Sequence, residues 1–220
     1  MEGVEKIRHG SNGYAQEELQ DFELSFRAYA RGAAKAEYER TGDISWVKEW
    51  FTNYQKSAEL AENIARRHSN GVNAANRNII KHAAHAYGFA AEAAKVIYEK
   101  FMKEILINET QHEESEVPEQ IIWAEQWYDC SIKSADLAAK LGGEGRNLAK
   151  YCYRDGAKAA TILLEFFREP EYARRVIDNT RKHLEFGGPQ GDRGRTIRGI
   201  LQESQRMYMF IKTYGRPVQA

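Results

Sequence analysis

The sequence predicts an all-α protein built from antiparallel helical hairpins. Apolar residues recur at steps of three and four through most of the chain, and no segment shows the alternating pattern of a half-buried strand. A segment that carries a Trp-x-x-x-Trp pair occurs twice, although the chain has only 4 Trp. The prolines all fall at proposed helix boundaries, and they are Pro118, Pro170, Pro189 and Pro217.

The repeated segment is the most informative feature of the chain. WVKEWFTNYQKSAELA, residues Trp46–Ala61, returns 77 residues later as WAEQWYDCSIKSADLA, residues Trp123–Ala138. The offset is constant along the whole segment, which predicts a duplicated structural unit. The identical pairs are Trp46/Trp123, Trp50/Trp127, Lys56/Lys133, Ser57/Ser134, Ala58/Ala135, Leu60/Leu137 and Ala61/Ala138.

The periodicity predicts one all-helical domain over residues 15–214, between a flexible lead-in at 1–14 and a tail at 215–220. The predicted helices span 15–40, 45–68, 73–107, 119–141, 146–168, 171–186 and 193–213. These helices pair as two duplicated hairpins, 45–107 and 119–168, and a third hairpin, 171–213.

Local signals support each boundary in turn. Gly42 ends the first helix, and Asp43 or Ser45 caps the second, which carries the first Trp segment. The third helix is rich in alanine and leads into an acidic linker over 108–118. Pro118 then opens the fourth helix, where its missing N–H costs nothing.

Glycine and proline also separate the C-terminal helices. Gly142-Gly143 ends the second Trp segment, and the helix after it begins with Arg-Asn, as the third helix does. Pro170 precedes the sixth helix, and GGPQGD separates that helix from the last.

Short turns make neighbouring helices antiparallel. The general plan resembles a tetratricopeptide-like solenoid of stacked hairpins, without the W-x-x-L-G-x-x-Y signature of that repeat. An open α-α repeat and a closed helical bundle both fit this pattern.

Composition indicates a soluble globular chain of 220 residues, 42% hydrophobic and 29% charged. Lys+Arg 32 balances Asp+Glu 32, so no global field favours nucleic acid. The two cysteines lie within helical patterns, which indicates reduced buried thiols. With no apolar leader and no apolar run of membrane-spanning length, we expect a cytoplasmic protein without membrane association.

The Trp pairs have two interpretations. At i, i+4 spacing they are typical of hairpin packing, and they are also able to line a groove for a ligand or peptide. A lysine recurs ten residues after the first Trp of each pair, and it either covers the helix seam or marks an anion-binding face. The binding candidates in this repeat are Trp46, Trp50, Lys56, Trp123, Trp127 and Lys133.

The segment Arg77-Asn78-Ile79-Ile80-Lys81-His82 resembles the R-x(4–6)-H signature of HEPN-type ribonucleases. The resemblance implies a metal-independent ribonuclease in which Arg77 stabilises phosphate charge and His82 acts as general base or orients the 2′-hydroxyl. It also implies a helical bundle that works as a homodimer. The second copy of the repeat keeps Arg-Asn but has Tyr151 in place of His82.

Metal binding by histidine is the next kind of site to consider. His82, His85 and His112 are the histidines considered as metal ligands, but no zinc or di-iron ligand motif accompanies them. We therefore predict no metal and no cofactor, and we do not expect an enzyme.

The C-terminal part is basic. Residues 172–220 hold ten Lys or Arg side chains against four Asp or Glu side chains, in a protein without net charge. This asymmetry favours an anionic partner, and nucleic acid is one such partner through residues 172–216. The candidate residues are Arg193, Arg195 and Arg198, which lie in or beside the Gly-rich stretch GGPQGDRGR.

The leading hypothesis is a non-enzymatic helical repeat protein that binds a macromolecular partner, either another protein or a second copy of itself. Architectural repetition without a catalytic motif is typical of such scaffolds. The alternatives are the HEPN-like ribonuclease and nucleic-acid binding through the basic C-terminal third.

Overall fold

The computed structural model describes residues 32–67, 74–108, 118–187 and 192–214. Residues 32–41 are helical and are called α1. No strand occurs within the described ranges, so the prediction of an all-α fold is confirmed. The helices after α1 are α2 (Ile44–Arg67), α3 (Ala74–Asn108), α4 (Glu119–Lys140), α5 (Arg146–Phe167), α6 (Pro170–Glu185) and α7 (Asp192–Tyr214).

Every predicted helix end that falls within these ranges agrees with the structure to within one residue. The local glycine and proline signals therefore predict the helix boundaries within the described ranges. The lead-in at 1–14, residues 15–31 of the first predicted helix and most of the acidic linker lie outside the described residues.

The turn between α1 and α2 shows how these signals act. Gly42 has a φ of 69°, a left-handed conformation that glycine adopts without strain. Its N–H donates to the carbonyl of Tyr38 at 2.8 Å. The Asp43 carboxylate accepts a hydrogen bond from the Ser45 N–H at 2.9 Å, so of the two possible caps Asp43 is the one used. This hydrogen bond also holds the pKa of Asp43 below its usual value.

The described helices are stacked in chain order. Extensive contacts join consecutive helices, from α2 against α3 to α6 against α7. Alternate helices also touch through side chains, as between Phe51 of α2 and Trp123 of α4, whose ring centroids lie 5.1 Å apart. This pattern is that of hairpins stacked in a row, and the described residues of α2 and α7 make no extensive contact.

The two Trp segments occupy equivalent places in this stack. Trp50 and Trp127 are both buried, and the alanines and serines that follow them are buried at matching positions. These small residues let α3 approach α2 and α4 closely, since α3 presents its own alanines to both helices. Equal burial at a constant offset is what a duplicated unit predicts, and the duplication itself stays a prediction.

The cysteines belong to this core. Cys130 and Cys152 are free and buried, and burial raises the pKa of Cys130 to about 12 and that of Cys152 to about 11. Their thiols stay protonated at neutral pH, which makes both side chains poor nucleophiles.

His183 is a buried titratable group at the C-terminal end of α6, with 4% of its surface exposed. Its Nδ1–H donates to the carbonyl oxygen of Lys150 at 2.9 Å, which leaves Nε2 without a proton. Nε2 is buried without a hydrogen-bond partner among the described residues. Burial lowers the pKa of His183, and the positive charges of Arg154 and Lys150 lower it further. The hydrogen bond to the Lys150 carbonyl and the negative charge of Asp155 oppose this shift without reversing it.

We expect acidification to destabilise the protein through His183. Because its folded-state pKa lies below the unfolded value of 6.5, the unfolded chain takes up the proton first, and stability falls as the pH drops below 6.5. His183→Gln should reduce the loss of melting temperature between about pH 7.5 and about pH 5.5. The exposed His85→Gln is the matched control, and an unchanged pH dependence in His183→Gln would contradict this assignment.

Candidate functional site

Two of the predicted binding residues, Trp50 and Trp127, lie inside the core. They expose 3% and 4% of their surface. The Trp50 ring centroid lies 6.1 Å from that of Tyr54, and the Trp127 centroid lies 6.2 Å from that of Tyr98. Rings enclosed in this way contribute to helix packing and present no surface to a partner.

The other two tryptophans lie at the edge of the same core. Trp46 and Trp123 are half-buried and pack against it. The Trp123 Nε1–H donates to Glu119 at 3.2 Å, and the same carboxylate forms an ion pair with Lys48 at 2.7 Å. This contact joins α2 to the first turn of α4, and it lowers the pKa of Glu119. The first turns of the two Trp segments are therefore in contact.

The recurring lysines are both exposed. Lys133 places its Nζ 5.3 Å from the centroid of the Tyr87 ring, across the α3–α4 seam. Lys56 occupies the corresponding position on α2, at the outer surface. The position of Lys133 agrees with a lysine that covers a helix seam.

Arg77 and His82 engage different neighbours. The Arg77 guanidinium donates to the carbonyl of Leu141 at 2.9 Å and to Glu144 at 3.1 Å, at the turn between α4 and α5. The His82 Nε2 lies 3.2 Å from the hydroxyl of Ser57 on α2, which is fully buried. The two side chains thus contact different helices, Arg77 the α4–α5 turn and His82 α2. Ribonuclease activity stays a prediction.

Metal ligation finds no support in the part of the chain that the structure describes. No three His, Cys, Asp or Glu side chains converge there, and His112 lies outside the described residues. Of the C-terminal candidates, Arg198 is exposed on α7, and the side chains of Arg193 and Arg195 are outside the described part.

The structure adds a site that the sequence did not indicate, a basic cleft formed by α4, α6 and α7. Its volume is about 600 Å³, and Tyr128 and Tyr208 are among the residues that line it. The charged lining residues are Arg174, Arg175, Lys182 and Lys212, with Glu171 and Asp178. Basic side chains thus outnumber acidic ones in an open concave site.

One side of this cleft is fixed by Arg175. Its guanidinium carbon lies 4.8 Å from the ring centroid of Tyr128 and 4.9 Å from that of Tyr172, so it contacts both rings. Ion pairs with Glu125 at 3.4 Å and Glu171 at 2.7 Å compensate its charge. Arg175 therefore ties α6 to α4, and its positive charge is already neutralised within the protein.

The other side of the cleft carries two cations near Tyr208, and the carboxylates of Glu171 and Asp178 act on Arg174 only from a distance. Arg174 donates from Nη2 to the Tyr208 hydroxyl at 3.0 Å, and the Lys212 Nζ lies 5.9 Å from the Tyr208 ring centroid. Within the described residues, no carboxylate oxygen lies within 4.0 Å of either cation, whereas Lys182 pairs with Asp136 at 3.3 Å. The hydrogen bond from Arg174 and the nearby positive charges hold the pKa of Tyr208 below its usual value.

A second groove of about 540 Å³ lies on the other flank of α7, against α5. Leu164 and Ile211 supply apolar surface, and its charged lining residues are Glu165, Arg168, Glu203 and Arg206. Because these charges balance, the groove has no preference for an anion or a cation. The basic cleft is thus the more specific of the two sites.

The cleft lies in the basic C-terminal part of the chain, but its residues are not the candidates that the sequence favoured. The excess of basic side chains after residue 172 indicated an anionic partner, but it favoured the Gly-rich stretch before α7. The cleft instead uses Arg174 and Lys212, which are 38 residues apart in the chain. Only the packing of α7 against α6 brings them to the same tyrosine, and no local pattern records that packing.

None of the described helices combines the length and the apolar character that a membrane span requires.

Comparisons with known proteins identify no family. No family model matches the chain, and no curated protein matches it. Among solved structures, the chain is similar to one titled "DHF58 filament", with 14% identity and a TM-score of 0.38, over 87% of this chain and 96% of that one. It is also similar to the de novo designed helical repeat protein DHR64, with 12% identity and a TM-score of 0.32, over 88% and 97% of the two chains. At these TM-scores neither likeness bears on function.

Proposed function

We propose that this protein is a helical scaffold that binds an acidic segment of a partner protein in the cleft between α4, α6 and α7. The observation that carries the proposal is the pair of cations at Tyr208. Arg174 and Lys212 face an open cleft of about 600 Å³ and have no carboxylate partner in the described structure. An acidic side chain of a partner would supply the missing negative charge.

The lining favours a peptide over a nucleic acid. Glu171 and Asp178 lie in the same cleft, and the acidic side chain of Asp136 is paired with Lys182 at its edge. A continuous polyphosphate backbone would be repelled at these positions, whereas a peptide carries its charges only where its sequence places them. Tyr128 and Tyr208 add amphipathic surface of the kind that is enriched in protein interfaces. The cytoplasm is the compartment we propose for this interaction.

Fluorescence anisotropy of a labelled peptide of alternating glutamate and serine tests this proposal with the full chain. We expect the peptide to bind, and the same peptide with lysine for glutamate not to bind. The double variant Arg174→Gln, Lys212→Gln should weaken binding about tenfold, because the peptide then loses both of its charged partners at this end of the cleft.

The matched control is Arg206→Gln, which removes a charge of the same sign from the other flank of α7, where Arg206 pairs with Glu203 at 3.8 Å. It should leave the dissociation constant unchanged. The proposal fails if the wild-type chain does not bind the acidic peptide, or if the control weakens binding as much as the double variant.

A further inference from the structure

We infer that Arg174, Tyr208 and Lys212 form a site for a dianionic phosphoryl group on a side chain of the partner protein. The inference rests on the proposed function, because it assigns the chemical class of the ligand to the same cleft. It concerns the end of the cleft formed by α6 and α7, and it extends from an acidic segment in general to a phosphorylated residue within it.

Three side chains with hydrogen-bond donors line this end of the cleft, and they are Arg174, Tyr208 and Lys212. Arg174 uses one N–H for the Tyr208 hydroxyl, at 3.0 Å, and its planar guanidinium has further N–H groups to offer. Because the Tyr208 hydroxyl accepts this bond, its own hydrogen is available to a ligand. Lys212 lies one helical turn after Tyr208, and its Nζ lies 5.9 Å from the centroid of the Tyr208 ring. Arg174 contacts that ring as well, with its guanidinium carbon 5.6 Å from the centroid.

The charge at this end matches a dianion. Two cations share one ring without a carboxylate partner in the described residues, so a single carboxylate of a ligand would neutralise only one of them. A phosphorylated side chain carries about −1.5 to −2 charges at neutral pH and three acceptor oxygens. The guanidinium fork of Arg174 fits two of these oxygens, and Lys212 supplies a point charge for the group.

The neighbouring residue shows why Arg174 is the ligand-binding arginine. Arg175 is held between Tyr128 and Tyr172 and paired with Glu125 and Glu171, so it has little capacity left for a ligand. Its contacts fix α6 against α4 and thereby position the backbone from which Arg174 extends. Arg174 and Arg175 are adjacent in sequence, but Arg175 forms two direct ion pairs, whereas Glu171 and Asp178 act on Arg174 only from a distance.

The test compares the glutamate–serine peptide with an identical peptide in which one central serine is phosphorylated. We expect the phosphorylated peptide to bind about tenfold more tightly to the wild-type chain, as a charge-assisted hydrogen-bond set is added. Tyr208→Phe retains the ring and removes the hydroxyl, so it should reduce this preference while it leaves the unphosphorylated peptide unaffected. Arg174→Gln and Lys212→Gln should each reduce the preference, and Arg206→Gln should retain it.

The outcomes separate this inference from the proposed function. If the acidic peptide binds through Arg174 and Lys212 but phosphorylation brings no gain, the phosphoryl site is wrong and the proposed function stands. If neither peptide binds, both are wrong. If inorganic phosphate at equal concentration displaces the phosphopeptide, the site binds free phosphate and the assignment to a partner side chain is wrong. If a single-stranded RNA of matched charge binds more tightly with the same Arg174 dependence, the partner class is wrong.

Discussion

Trp127→Ala is expected to lower the free energy of unfolding by about 3–5 kcal/mol, the usual cost of truncating a buried tryptophan to alanine. Trp127 exposes 4% of its surface and belongs to the main core. The Tyr98 ring contacts it at a centroid distance of 6.2 Å, and the Lys95 ammonium lies 5.9 Å from its centroid. The core cluster that contains Trp127 is rich in alanine, and these short side chains cannot fill the cavity.

The same substitution at Trp50 is expected to cost a similar amount, because Trp50 exposes 3% of its surface at the equivalent position of α2. Urea denaturation monitored by circular dichroism measures both values. Trp46→Ala and Trp123→Ala are the matched controls, since these rings are half-buried and lose less contact on truncation. A loss below about 1 kcal/mol at both Trp50 and Trp127 would contradict their assignment to the core.

Gly145→Ala is the second substitution with a large expected effect. A Cβ atom at position 145 would lie 1.9 Å from the carbonyl oxygen of Ala138, which is backbone and cannot rotate away. Gly145 also accepts the N–H of Ala149 at 2.9 Å in the first turn of α5. The substitution therefore forces α4 and α5 apart at their turn, and we expect a loss of about 3 kcal/mol, the upper range for overpacking.

Gly143→Ala provides the control for this prediction. Gly143 lies in the same turn, has a negative φ, and would place its Cβ in open space. Its replacement should leave stability unchanged or raise it by about 0.4–1 kcal/mol, because alanine restricts the unfolded chain. Thermal melting of the two variants side by side distinguishes a steric effect at Gly145 from a general need for glycine in the turn. Equal melting temperatures would refute the steric argument.

The sequence was sufficient for the helices because their ends are marked locally. Pro118, Pro170 and Gly142 each stop or start a helix through their own backbone geometry, without reference to the rest of the fold. Part of the core could also be predicted from the sequence. Trp50 and Trp127 form a stripe with small residues on one helix face, which is typical of helix packing, and both are buried.

The residues of the basic cleft could not be predicted from the sequence in this way. Arg174 and Tyr208 are 34 residues apart, and their contact depends on the angle at which α7 packs on α6. The excess of Lys and Arg after residue 172 indicated a basic region of the chain. The ion pairs in the structure decide which of these residues are free to bind a ligand. Arg174 and Arg175 look alike in sequence, and only the positions of Glu125 and Glu171 on two helices distinguish them.

Because the helices are stacked in a row, ligand binding in the cleft and the stability of the α6–α7 packing are linked. In a linear array, each element is held by its immediate neighbours, and the final element has a neighbour on one side only. Among the described helices, α7 has extensive contact with α6 alone, so the α6–α7 junction opens at a lower free energy than the junctions of helices that are held on both sides. Arg174 and Lys212 stand on either side of that final junction. A ligand that bridges these two residues adds its binding free energy to the packing of α7 on α6. Local opening of this α6–α7 contact in turn competes with ligand binding.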